Sequence, residues 1–243
     1  MKNKTTLKEI SEFVLSYDAM HYYESSTRFY TGLKVNFITG PIDTGSTQFI
    51  DWQNRYEITM GTEYIYTLFP HIKRGTQLGL TDATIYKNIF RDCVEGLKDH
   101  EVGHVEYTDF VEMIKLMTVW EIQGYLYFVS VFMQVANLVE DFYLEYRKKT
   151  SDLLVASRID VMNQNLFTQV KWDKYKAEEF DHKTISSLLR FIGYMLFNDS
   201  VIDDVPEVWK DAGDIFAEGL DLCYNTTDNA LRLRRTQELT RQL

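Results

Sequence analysis

At 243 residues and 45% hydrophobic content, the chain is long enough to bury a sizeable core, as one large domain or two small ones. Its 16 Tyr, 15 Phe and 4 Trp against only 3 Pro and 12 Gly argue against a many-turned β protein and for long helices. A formal net charge of −10 argues against a nucleic-acid groove, which needs a basic field.

The first residues, MKNKTTLKEISEF, carry no apolar signal-peptide core after their lysines, so a cytoplasmic location is expected. Cys93 and Cys223 give neither a disulfide framework nor a C-x-x-C site, as expected of a reducing compartment. Over 6–23, Leu7, Ile10, Phe13, Val14 and Tyr17 recur at helical intervals and predict an opening amphipathic helix. The period then changes. FYTGLKVNFITG (29–40) alternates and is rich in aromatic and β-branched types, GPIDTGST (40–47) reads as a loop, and RYEITMGTEYIYTLFP (55–70) reads as one or two strands around Gly61.

From Thr81 the chain reads as helical almost to its end, with Thr81-Asp82 as a cap ahead of ATIYKNIFRDCVEGLKDHEVGHVEY. Further helices are expected over about 117–149, 153–165, 181–198 and 205–223, and a charged one over 228–243 carrying Arg232, Arg234, Arg235 and Arg241. Those arginines are expected to solubilise the tail, with an acidic partner as the alternative. The apolar run Gly124–Val139 is shorter than the roughly 20 residues that span a bilayer and contains Ser130, Gln134 and Asn137, so a helix buried on most sides is expected and no membrane partner. The layout is α+β, mostly α: a small N-terminal β-sheet packed on a helical body.

One stretch carries chemistry. His100-Glu101-Val102-Gly103-His104 is an H-E-x-x-H pattern. On a helix, i and i+4 share a face, so both imidazoles can meet one ion about 2 Å away. Glu101 lies beside them, placed to take a proton from a water rather than to bind the metal. A catalytic zinc needs a third protein ligand, and the next long helix offers Glu140 and Asp141 after an apolar run that would carry them into the interior. Asn137 and Asp141, again i and i+4, are candidates to orient a histidine through its second nitrogen. Tyr143 and Tyr146 are candidates to donate to a tetrahedral oxyanion, although aromatics at helical spacing usually pack. Cys93, two turns before His100, reads as core. His182 reads as a solvated turn residue, His21 as core or surface, and His71 as a residue that could border a cleft.

The combination Asp99-His100-Glu101-Val102-Gly103-His104 with Tyr107-Thr108-Asp109, followed by Asn137-Leu138-Val139-Glu140-Asp141 with Leu144-Glu145, resembles bacterial and phage metallopeptidase-like domains. These are associated with von Willebrand factor A domains, are related to a cobaltochelatase subunit, and look like gluzincins, whose third ligand is a glutamate. Thr59–Tyr66 resembles the strand that precedes the active-site helix in such domains, and the resemblance covers about residues 55–149. It implies a single zincin-like domain over 1–243, with a helix and small sheet over 1–80, metal-site helices over 81–149 and a helical C-terminal part over 150–243. It implies Zn2+ on His100, His104 and Glu140, with Asn137, Asp141 and Asp109 as supporting groups and Glu101 as the catalytic base. The family often has a basic residue where this chain has Tyr143, the candidate helper.

The expectation is thus a zinc metallopeptidase acting on a peptide or protein substrate, which the strand near 58–66 would bind by edge pairing. A von Willebrand factor A domain or another protein is the expected partner. The rival expectation is a non-catalytic, zinc-stabilised interaction module of a phage or bacterial assembly.

Overall fold

The computed structural model describes residues 7–50, 53–64, 66, 83–166, 188–189, 192 and 207–243. His71, the Thr81-Asp82 cap, His182 and most of the helix expected over 181–198 lie outside the described residues. The chain divides into two compact units, Met1–Glu106 with Arg147–Gln169, and Tyr107–Tyr146 with Val170–Leu243. This division cuts across the segments 1–80, 81–149 and 150–243 read from the sequence.

The first unit opens with two helices, not one: α1 (Leu7–Val14) and α2 (Tyr17–Thr31). Ser16 makes the break, its hydroxyl accepting the Ala19 N–H at 3.2 Å as an N-cap. α2 runs on through the Phe29-Tyr30-Thr31 expected to begin a strand, and stops at Gly32, whose φ of 71° a side chain would resist. Three strands follow, β1 (Val35–Gly40), β2 (Gly45–Ile50) and β3 (Arg55–Gly61), in the order β1-β3-β2. β1 is parallel to β3 and β2 antiparallel to it, with Phe37, Ile58 and Thr47 in one row and Thr39, Met60 and Gly45 in another.

Three expectations change here. β2 occupies Gly45–Thr47, read from the sequence as loop, because Gly and Thr hide the alternation that Phe49 continues. β3 is the central strand, paired on both sides, so an extended peptide cannot add to it; among the described residues β2 and β1 are the edges. The strand pattern also ends at Gly61, and Tyr64 and Tyr66 have helical backbone.

The apolar face of the sheet buries Phe37, Ile58 and Met60 against α3 (Ala83–Tyr107), whose Phe90, Cys93, Val94, Leu97, Val102 and Val105 recur at helical spacing. A short helix, Leu153–Leu166, adds Ile159 and Met162 to this core.

In the second unit, α4 (Phe110–Ile122) and α5 (Leu126–Ser151, through Tyr146 in this unit) replace the single helix expected over 117–149. Gly124, at φ 81°, turns the chain between them. The apolar run is buried only in part: Gly124–Tyr127, Ser130 and Asn137 are exposed, while Val131, Val135 and Val139 join Trp209, Phe216, Leu220 and Leu239 in a core. Among the described residues no helix is long and apolar enough to cross a membrane. With Leu153–Leu166 as α6, the chain closes on α7 (Glu207–Tyr224) and α8 (Asn229–Gln242), which pack on each other. The architecture is mostly helical with one small sheet.

Ile58 is fully buried on the central strand. Ile58→Ala is expected to cost about 2–5 kcal/mol in denaturant unfolding followed by tyrosine fluorescence. A cost below about 1 kcal/mol would contradict its place at the centre of this core.

Candidate metal centre

In the first unit, α3 presents the H-E-x-x-H residues one turn from its C-terminal end. The His100 and His104 rings lie 5.2 Å apart between centroids and cross at 78°, and both are half-buried. This is the shared face that the i, i+4 spacing dictates, and paired imidazoles suit zinc and the other borderline transition metals.

Glu101 faces the sheet and is 5% exposed. Its Oε2 accepts the Thr47 hydroxyl at 2.7 Å. The two residues are 54 apart in sequence, and β2 supplies the partner. Gly45 lies beside the same side chain, for a Cβ there would stand 2.7 Å from Glu101 Cγ.

The other acidic residues around this stretch of α3 are ion-paired. Asp99 is flanked by Lys98 and by Arg158, the latter at 3.6 Å, and Arg158 also pairs with Glu95. Glu106 meets Lys148 at 2.6 Å. Cys93 is fully buried, and burial pushes its thiol up to about 12. It packs with Phe90, Val94 and Leu97 in the apolar cluster beneath the sheet, so Cys93 is core, as its spacing suggested.

In the second unit, Glu140 is 2% exposed, as its apolar flank predicted, and its carboxylate is fully engaged. Arg232 donates from Nε to Oε1 and from Nη2 to Oε2, both at 2.7 Å, and Thr108 donates to Oε2 at 2.9 Å. Arg232 is itself completely buried. Its remaining donors reach Tyr107 O, Thr226 O (3.2 Å) and Asn229 Oδ1 (3.1 Å), which accounts for all five of its N–H groups.

The Arg232 guanidinium also lies 3.7 Å over the Tyr143 ring. Tyr143 is 3% exposed and in edge contact with Tyr107, so here its ring is a platform for the arginine. Tyr146 is more exposed and packs on Tyr224.

Asp141, one residue beyond Glu140, is half-buried and accepts Asn137 Nδ2 at 2.9 Å on Oδ2. The i, i+4 pairing of these two therefore forms, with Asn137 steadying the carboxylate. Asp109 accepts the Glu112 N–H at 2.9 Å and is the N-cap of α4. The arginines of α8 do more than solubilise: besides Arg232, Arg234 bonds Glu112 at 2.7 Å and Arg235 bonds Leu222 O at 3.0 Å.

Sequence reasoning missed Thr47 and Arg232. Thr47 left no signal beyond its alternation with Phe49. Arg232 lies beside Leu233 on the stripe that continues through Thr236, Leu239 and Thr240, all buried, and that stripe was the available clue.

Arg232→Met would leave Glu140 buried without its counter-charge and is expected to cost about 3–5 kcal/mol in urea unfolding. Adding Glu140→Leu should return most of that loss, since a well-packed apolar pair replaces a buried ion pair at little cost. A double variant as unstable as Arg232→Met alone would mean that the residues do not act as a pair. No family model matches the chain, and neither a curated protein nor a solved structure matches it.

Proposed function

We propose that the chain is a zinc-dependent metallopeptidase in which α3 supplies His100 and His104 as ligands and Glu101 as the base. The observation that carries this reading is the α3 geometry: two imidazoles one turn apart, with a buried carboxylate between them aimed by Thr47. A structural zinc site needs no base, so a deliberately held Glu101 favours the catalytic reading over the interaction module.

The third ligand in this reading is Asp141. The resemblance pointed to Glu140, but both of that residue's oxygens already accept charged or hydroxyl donors. A carboxylate so saturated would have to break a buried ion pair before binding a cation, at a cost of several kcal/mol. Asp141, the next residue on α5, is half-buried and accepts Asn137 Nδ2 at 2.9 Å. Asn137 then acts as the group that orients the ligand carboxylate.

When bound, the zinc ion supplies Lewis acidity, polarising a carbonyl and lowering the pKa of a coordinated water to about 7. The chain's own residues do the rest. Glu101 accepts the proton of the attacking water and delivers it to the leaving amine. β2, an edge strand that adjoins Glu101 through Thr47, is the strand to which an extended peptide would add by main-chain pairing.

Purified protein is expected to carry about one zinc per chain. His100→Ala and Asp141→Ala should lose it, while Glu140→Gln should keep it. Zinc retained by Asp141→Ala and lost by Glu140→Gln would return the third ligand to Glu140. Glu101→Gln should keep the metal and lose at least about 100-fold in turnover of a mixed peptide library. A parent that holds zinc and cuts no peptide would favour the interaction module.

A further inference from the structure

Gly45 and Thr47 lie two residues apart on β2 and so face the same side of the strand. Both meet the Glu101 side chain, and nothing in the H-E-x-x-H pattern accounts for either. We propose that β2 is a positioning strand for Glu101: Thr47 fixes the direction of its carboxylate, and Gly45 leaves the space that carboxylate fills. The proposal rests on the metallopeptidase reading, in which Glu101 is the base.

A glutamate has three side-chain torsions, and an unheld one loses rate by visiting the wrong geometry. Thr47 removes that freedom. Its hydroxyl has one proton and two acceptors in reach, Glu101 Oε2 at 2.7 Å and Glu101 O at 3.1 Å. The carboxylate is the nearer and the stronger acceptor, since a bond to a charged oxygen is about twice as strong as a neutral one. A β-branched residue is also stiff at χ1, so the hydroxyl is aimed with little further entropy loss.

The register holds the strand at the right height. Thr47 pairs with Ile58 on the fully buried central strand, and a one-residue slip would turn its side chain to the opposite face. Gly45 is the second half of the device. A Cβ at that position would stand 2.7 Å from Glu101 Cγ and 2.8 Å from its Cδ, closer than carbon atoms approach without displacement. Even alanine there must push the base aside.

The test uses zinc-loaded protein and acetohydroxamic acid, which grips a metal through two oxygens and presents a proton to a neighbouring base. Glu101→Gln should weaken its binding by about 10-fold or more, and Thr47→Val by about 3- to 10-fold, with zinc content and melting temperature unchanged. Thr47→Ser should stay near the parent. Gly45→Ala should weaken binding like Thr47→Val, which gives a second route should the valine variant fold poorly. In the Glu101→Gln background Thr47→Val should add nothing, because its effect passes through that carboxylate. On a mixed peptide library, Thr47→Val should lower kcat and leave KM. Parent-like hydroxamate binding by both Thr47→Val and Gly45→Ala, beside a weakened Glu101→Gln, would overturn this proposal alone. The same would follow from an equal loss in both backgrounds. A parent that takes up no zinc would overturn the metallopeptidase reading, and this proposal with it.

Discussion

A carboxylate taken out of water must find a counter-charge or a donor, and this demand shapes the surroundings of both motif helices. Glu140 on α5 is almost wholly buried and is met by a buried arginine 92 residues away in sequence. Arg232 spends two donors on that carboxylate and three on backbone and side-chain oxygens, with the Tyr143 ring beneath it. A pair of this kind adds little net stability compared with apolar packing, but it cannot be broken one partner at a time without a large cost. The C-terminal helix is therefore part of the interior of its unit, and the acid that the motif offers as a ligand is bonded to that helix's arginine.

The same demand is met differently at Glu101. Among the described residues none forms an ion pair with it; a threonine hydroxyl meets it, and a glycine leaves room beside it. A guanidinium there would bond the carboxylate fully, as Arg232 does with Glu140. One hydroxyl donor orients the group instead. Two buried glutamates in one chain thus have different settings: one is locked to a guanidinium, the other is held by a single hydroxyl, as the proposed base requires.

Much of the fold was legible. α3 covers the residues whose apolar spacing predicted it, and the helices at 153–166, 207–224 and 229–242 fall close to their expected places, because local periodicity carries that information. The small sheet near the N-terminus was legible too, but its order was not. Nothing local in Gly45-Ser46-Thr47 announces a strand, and nothing in RYEITMG says that it is central, since pairing partners are set by tertiary contacts. Helix breaks at Ser16 and Gly124 were underweighted against the apolar pattern running through them. At the site, the histidines and Glu101 were readable from spacing alone. Thr47 and Arg232 were not, because each acts across 54 or 92 residues of chain.

The proposal with most at stake is the zinc ion on His100 and His104, with the cysteines and Glu140 uninvolved. Zinc-edge X-ray absorption on protein purified with its native metal tests this most directly. The account predicts nitrogen and oxygen scatterers at about 2.0–2.2 Å, two of them with the outer-shell pattern of imidazole, and no sulfur. The spectrum should be unchanged in Glu140→Gln and lose its metal signal in Asp141→Ala. A sulfur shell at about 2.3 Å, or protein that carries no zinc, would contradict it.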